Sequence, residues 1–136
     1  MLSDDQIGFI ESRRVAHLAT ADAGALPHVV PVCFAYTEGA IWIAIDEKPK
    51  TTARLKRVRN IEENPQVSLI FDRYDEDWTR LGYVLVHGTA ELVERPPVGV
   101  VSALRARYEK YGPMGLEERP AIRITPERVV TWGSLT

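Results

Sequence analysis

Two hydrophobic periods alternate along this chain. Near the N-terminus, Ser3-Asp4-Asp5-Gln6 has the S-x-x-Q form of a capping box, which predicts a short helix running to about Arg13. "VAHLAT" (15–20), "HVVPVCFAY" (28–36) and "IWIAID" (41–46) are rich in β-branched and aromatic residues and read as three strands. Polar turns join them: the Gly-containing "ADAGALP" (21–27) and "TEGA" (37–40). Pro31 inside the second run predicts an edge or a bulge, because proline has no amide to give the ladder. Past Asp46 the period changes from two to about 3.6, and a helix is expected from near Thr51.

The second half repeats the alternation. "QVSLIFDRY" (66–74) and "LGYVLVHGTAELVE" (81–94) are long β-rich runs separated by the acidic link "DEDWTR" (75–80). Pro96-Pro97 opens a second helix, "VGVVSALRARYEKYG", closed by Gly112 and Pro113, and "AIRI" (121–124) and "RVVTW" (128–132) follow as two more strands. The order ββ β α ββ α ββ with short early turns predicts a mainly β, mostly antiparallel barrel with helical insertions, rather than a parallel α/β sheet. With 136 residues and 45% apolar content, the chain is expected to form one domain over 1–136.

Charge narrows the function classes. A formal charge of −2 argues against a nucleic-acid or membrane-surface binder, so any anion site must be local. The single Cys33 excludes an internal disulfide framework, and the N-terminus lacks the pattern of a secretory signal, which predicts a cytoplasmic protein. No run approaches the roughly 18 to 20 apolar residues of a membrane-spanning helix.

Against that acidic background, Lys48 to Arg59 gathers six of the 17 Lys and Arg with no carboxylate. On a helix Leu55, Val58 and Ile61 share one arc, while Lys56, Arg57, Ala53 and Asn60 share another that is polar. Thr51 and Thr52 stand where a helix N-terminus would offer amides and the positive dipole end, with Lys48 and Lys50 approaching. That set suits a phosphate or polycarboxylate. An ordinary solvated face, with Arg59 pairing Glu62 or Glu63, is the equal alternative on pattern alone. Neither a Walker-type loop nor G-x-G-x-x-G is present, so a phosphate site here would need side chains.

"VVPVCF", the block "IWIAIDEKPKTTARLKRVRNIEENPQVSLIFDRYDEDWTRLGYVLVHGTAEL" and the late Trp132 resemble the pyridoxamine-phosphate-oxidase-like, FMN-binding split β-barrel flavoproteins. "DEKPK" and "DRYDEDW" are similar to the branch that uses the deazaflavin F420. The resemblance implies a homodimer of split barrels with cofactor sites at the subunit interface. It implies phosphate binding by Lys50, Thr51, Lys56 and Arg57, with Asn60 extending the polar face. It places the cofactor ring against Pro31, Val32 and Cys33 and against Ile45 and Asp46. The basic R-x-x-x-L-K strand motif of true pyridoxamine-phosphate oxidases is replaced by "VVPVCF", which argues against pyridoxal phosphate synthesis. Because F420 carries a phosphate and a polyglutamate tail, the further cations Lys48, Arg54 and Arg59 favour F420 over FMN. The implied activity is an F420-dependent oxidoreductase that passes hydride to a small organic substrate. An FMN-dependent relative and a non-catalytic F420 carrier are the alternatives.

The remaining polar residues carry weaker signals. The acidic run Asp72, Asp75, Glu76, Asp77 lacks the Gly and terminal Glu of a calcium loop, so a solvated loop pairing with Arg73 and Arg80 is expected and no metal site is. His17, His28 and His87 lack ligand spacing and read as structural. Cys33 in an apolar strand reads as a small buried hydrophobe rather than a reactive thiol. Trp78 and Trp132 are candidates to stack on a cofactor or line a substrate pocket, with a core or interface role as the alternative. Val98, Val101, Leu104 and Tyr108 form a packing stripe on the second helix. No catalytic acid or base is identifiable, and no hydrolytic triad is evident.

Overall fold

The computed structural model describes residues 1–45 and 55–136. Helix α1 (Asp4–Ser12) starts on the expected capping box: Ser3 Oγ accepts from the Gln6 amide at 3.1 Å, and Gln6 Oε1 accepts from the Ser3 amide at 2.9 Å. Strands β1 (Ala16–Ala21), β2 (Pro27–Val32), β3 (Ala35–Thr37) and β4 (Ala40–Ala44) follow, then α2 (Lys56–Glu63), β5 (Gln66–Arg73), β6 (Gly82–Val93), α3 (Val98–Arg107) and β7 (Ala121–Gly133). All pair antiparallel in one seven-stranded sheet of order β2-β1-β5-β6-β7-β4-β3.

Several boundaries differ from the sequence reading, among them the second helix, which ends as α3 at Arg107 rather than at Gly112 and is followed by a separate 3-10 turn, Glu109–Tyr111. The run 28–36 is two strands: β2 pairs with β1 at one sheet edge and β3 pairs with β4 at the other. The expected strands 121–124 and 128–132 are one strand, β7. It absorbs Pro126, which has no amide to donate, in a bulge: Gly88 lies opposite Pro126, and His87 opposite Arg128. A Cβ at Gly88 would sit 2.3 Å from the Thr125 carbonyl oxygen, so the close approach at that bulge needs glycine. The described part of helix α2 runs Lys56–Glu63 with Leu55 before it, and the expected start near Thr51 lies outside the described residues, as do all of 46–54. The β3–β4 turn is tight as expected, with Glu38 at φ 55° and Gly39 at φ 72°, both positive as a two-residue hairpin of the primed type requires.

The link between β2 and β3 dictates the overall shape. Seven flat strands would set the sheet edges about 29 Å apart. Only Cys33 and Phe34 separate Val32 from Ala35, a reach of at most about 11 Å. The sheet therefore curls until its edges approach, giving a mostly-β half-barrel. Among the described residues no ladder joins β2 to β3, so the barrel stays split there. Side chains close the seam instead: the Phe34 amide donates to the Tyr108 hydroxyl at 3.1 Å, and Arg107 Nε donates to the Phe34 carbonyl at 2.9 Å.

Two apolar cores result. Inside the barrel, Leu18, Ile41, Ile43, Leu69, Phe71, Val84 and Ile122 meet Phe9 and Ile10 of α1 and Val58 and Ile61 of α2, with Phe34 edge-on to Phe71 at 4.9 Å. Outside it, Val100, Val101 and Leu104 of α3 cover Ala35, Trp42, Ala44 and Ala121. Strand β4 is buried along its whole length because both of its faces are covered, which explains its unbroken apolar run. Trp42 belongs to the outer core and donates Nε1–H to the Thr37 carbonyl at 3.2 Å. Of the α3 stripe, Val101, Leu104 and Tyr108 pack as expected while Val98 is 79% exposed.

Candidate functional site

A cavity of about 140 Å³ opens beside the seam. Pro31, Val32 and Cys33 form one wall where β2 ends, and Ile43 and Ala44 form another at the end of β4. Helix α2 contributes Arg57, and the single 3-10 turn Glu109–Tyr111 contributes Tyr111. The lining thus combines strand residues with apolar side chains, Arg57 and Tyr111, and the surface it presents is more polar than apolar. Such a set can hold a planar, anion-bearing group: aliphatic side chains pack on its faces and Arg57 meets the charge.

Helical geometry explains how α2 divides its residues. Val58 and Ile61 enter the barrel core, and each full burial of that size stabilises by about 1.5–3 kcal/mol. Arg57, one residue before Val58, turns to the cavity. Lys56 turns to the β1–β2 loop, where Nζ lies 3.8 Å from Asp22 Oδ2. Asp22 is already an anchor there, since its Oδ1 accepts from the amides of Leu26 (3.0 Å) and Gly24 (2.9 Å). The Leu26 amide, helped by the Gly24 amide and the Lys56 charge, holds the Asp22 carboxyl below its ordinary range against the opposing effect of burial, which is second only to the Leu26 amide. Asn60 departs from the expected polar face: it is fully buried, and Nδ2 donates to Thr20 Oγ1 at 3.0 Å.

Of the sequence-derived site residues, Pro31, Val32, Cys33 and Arg57 are brought together in the cavity. Ile45 follows directly on the β4 wall but packs in the barrel core, its amide donating to the Pro120 carbonyl at 3.2 Å. Lys56 and Asn60 are placed on other sides of α2, as above. Asp46, Lys48, Lys50, Thr51 and Thr52 lie outside the described residues. Trp78, 73% exposed, and Trp132, 53% exposed and stacked on Tyr83 at 5.9 Å, do not line the cavity. Sequence reasoning missed Ile43, Ala44 and Tyr111. The first two sit one register step before Ile45. Tyr111 falls at the tail of the expected second helix, and its signal is its position three residues after Tyr108.

Cys33 is half-buried in the cavity wall rather than sealed in the core. Ser68 Oγ and His87 Nδ1 lie 2.7 Å apart as a cross-strand pair on β5 and β6, in keeping with a structural histidine. Among the described residues no group of three or more His, Cys, Asp or Glu gathers as a metal site. Asp75 pairs with Arg80 at 3.1 Å, and Asp77 caps the following turn by accepting from the Thr79 amide and hydroxyl at 3.0 and 2.6 Å. The Thr79 hydroxyl, with the Thr79 amide and Arg80 behind it, lowers the Asp77 carboxyl from its usual range. Arg73 grips backbone instead, donating to the carbonyls of Arg80, Ser134 and Thr136.

A half-barrel split at one seam, with a cavity lined by strand residues and Arg57 beside the split, defines the class. The chain belongs to the pyridoxamine 5'-phosphate oxidase family, whose profile matches residues 3–133. It is 31% identical over 134 residues to a 5a,11a-dehydrotetracycline/5a,11a-dehydrooxytetracycline reductase of Streptomyces rimosus subsp. rimosus, covering 94% of this chain and 80% of the relative. In structure it resembles a conserved hypothetical protein of Mycobacterium tuberculosis (TM-score 0.76, 26% identity, 98% of this chain and 86% of that one). It also resembles an F420 reductase (TM-score 0.67, 25% identity, 95% of this chain and 98% of that one). Family and relatives place the protein among oxidoreductases. No helix among the described residues is long and apolar enough to cross a membrane.

Proposed function

We propose that this protein is an F420-dependent reductase of small organic substrates. The observation that carries the proposal is the meeting of Arg57 with the apolar walls of β2 and β4 in one cavity. Those residues fit the cofactor in part. A cavity near 150 Å³ holds benzene, and whole ligand sites usually run to about 300–1,000 Å³, so the 140 Å³ of this open cavity matches a ring-sized fragment. The remainder of the cofactor would lie on surfaces that continue from this cavity, on this chain or on a second copy of it.

Bound there, the reduced deazaflavin supplies a hydride. The protein's own residues bind, orient and exclude water. Arg57 takes an anionic group, and the wall formed by Val32, Ile43 and Ala44 backs a planar one. The excess of cations from Lys48 to Arg59 over the needs of one phosphate favours F420, with its polyglutamate tail, over FMN.

The test uses the sole cysteine as reporter. Purified apo-protein is titrated with F420 and, separately, with FMN, following Trp fluorescence and the rate of Cys33 alkylation. F420 is expected to bind more tightly and to slow alkylation. Arg57→Glu is expected to weaken F420 by about tenfold or more. Tighter FMN binding would reassign the cofactor, and binding without protection of Cys33 would move the site elsewhere.

A further inference from the structure

Tyr111 is the cavity residue that neither strand wall nor the cationic helix supplies, and its surroundings fix it with unusual redundancy. Its carbonyl accepts from Arg105 Nε at 3.2 Å. The same guanidinium reaches the Met114 carbonyl at 2.6 Å and grips Glu117 through two bonds of 2.5 and 2.9 Å. Arg105 therefore pins the backbone on both sides of Gly112-Pro113. The Tyr111 ring packs edge-on to Tyr108, centroids 5.5 Å apart at 66°.

Tyr108 in turn belongs to the seam. Its hydroxyl accepts from the Phe34 amide at 3.1 Å and donates to the Arg14 carbonyl at 2.9 Å. Phe34 is bonded directly to Cys33, the cavity wall that faces the ligand space with Val32. Tyr108 thus ties Tyr111 and the end of β2 together through a packed ring and a hydrogen bond, alongside the Arg105 bonds to the loop backbone.

A pinned aromatic wall selects by shape. Aliphatic walls adapt to many ligands, whereas an aromatic ring at fixed spacing favours a flat conjugated partner by about 0.5–1.5 kcal/mol beyond area burial, or roughly two- to tenfold. From this we propose that Tyr111 contacts the bound ligand and sets which planar conjugated ring, carrying an anionic group for Arg57, the cavity accepts. The inference rests on the reading of this cavity as the cofactor and substrate site.

Two measurements test it. The chain has five tyrosines, so 3-fluorotyrosine labelling gives five fluorine resonances, and Tyr111→Phe identifies the one from Tyr111. On saturation of otherwise unaltered labelled protein with F420 or FMN, that resonance is expected to shift. Tyr111→Leu, checked for a cooperative melt, is expected to change the ratio of the F420 and FMN dissociation constants by about fivefold. The resonance measurement needs only the native fold, so it decides the question even if the leucine variant does not fold. An unmoved Tyr111 resonance at saturation overturns the role of Tyr111, while loss of binding in Arg57→Glu would still support the cavity. If the native chain binds neither cofactor, both readings fall.

Discussion

Single residues show where sequence pattern stops being informative. Arg57 and Asn60 were grouped on one polar arc, yet Arg57 lines the cavity while Asn60 is buried against Thr20. A periodicity argument sees a polar side chain and assigns it outward; it cannot see that Thr20, forty residues earlier, offers a buried partner. The Arg105–Glu117 pair is equally invisible, because it depends on how the chain folds back between residues 107 and 116. It carries a pH prediction. The Arg105 hydrogen bond, ahead of Arg105's charge, holds the Glu117 carboxyl below its ordinary 4.5, and the same contact raises Arg105. A carboxyl with a depressed folded value contributes stability that is complete above its unfolded value and is lost as pH falls through the folded one. Glu117 is exposed and Arg105 half-buried, so solvent screening keeps the effect small. The thermal midpoints of the native chain and Glu117→Gln are expected to differ at neutral pH and to converge as pH drops well below 4.5. A gap that persisted in acid would mean the pair is not what stabilises the turn.

At the scale of elements, most of the architecture was legible. Alternating runs located every strand, the capping box located α1, and Pro96-Pro97 located the start of α3. What failed was continuity: the break at Cys33-Phe34 and the fusion across Pro126 are tertiary decisions, made by which neighbour each half-strand finds. The break matters because it creates the seam, and α3 holds the seam through its C-terminal residues. Arg107 donates to the carbonyls of Phe34, Glu11 and Arg13 at 2.9, 3.1 and 2.7 Å, and Arg14 donates back to the Arg107 carbonyl. Tyr108 joins the same three segments with one hydroxyl. Tyr108→Phe keeps the ring but leaves the Phe34 amide and the Arg14 carbonyl without it, at a cost of about 1–3 kcal/mol. The melting midpoint is expected to fall by about 3–10 °C and Cys33 alkylation to accelerate. If neither changes, the hydroxyl does not hold the seam.

For the whole molecule, the sheet has a second face that the chain leaves only partly covered. Register places Pro31, His17, Ile70, Leu85 and Val130 in one row across β2, β1, β5, β6 and β7, and cross-strand partners share a face. Tyr83 and Trp132 pair on that same face, and so does the 61%-exposed Val29, opposite Ala19. Such a broad, half-exposed apolar face is unusual on a lone small protein and is the kind of surface that homodimers bury. Pro31 belongs both to this row and to the cavity wall, so a copy docked here would reach the cavity edge and add surface to the site. On this reading the native chain sediments at twice its 15.3 kDa. Leu85→Asp places a carboxylate mid-row without entering the barrel interior; it is expected to give a folded monomer by circular dichroism and sedimentation, with F420 affinity reduced at least about tenfold. A native monomer at micromolar concentration would refute the dimer. A Leu85→Asp monomer that binds F420 as the native chain does would show instead that one subunit carries the whole site.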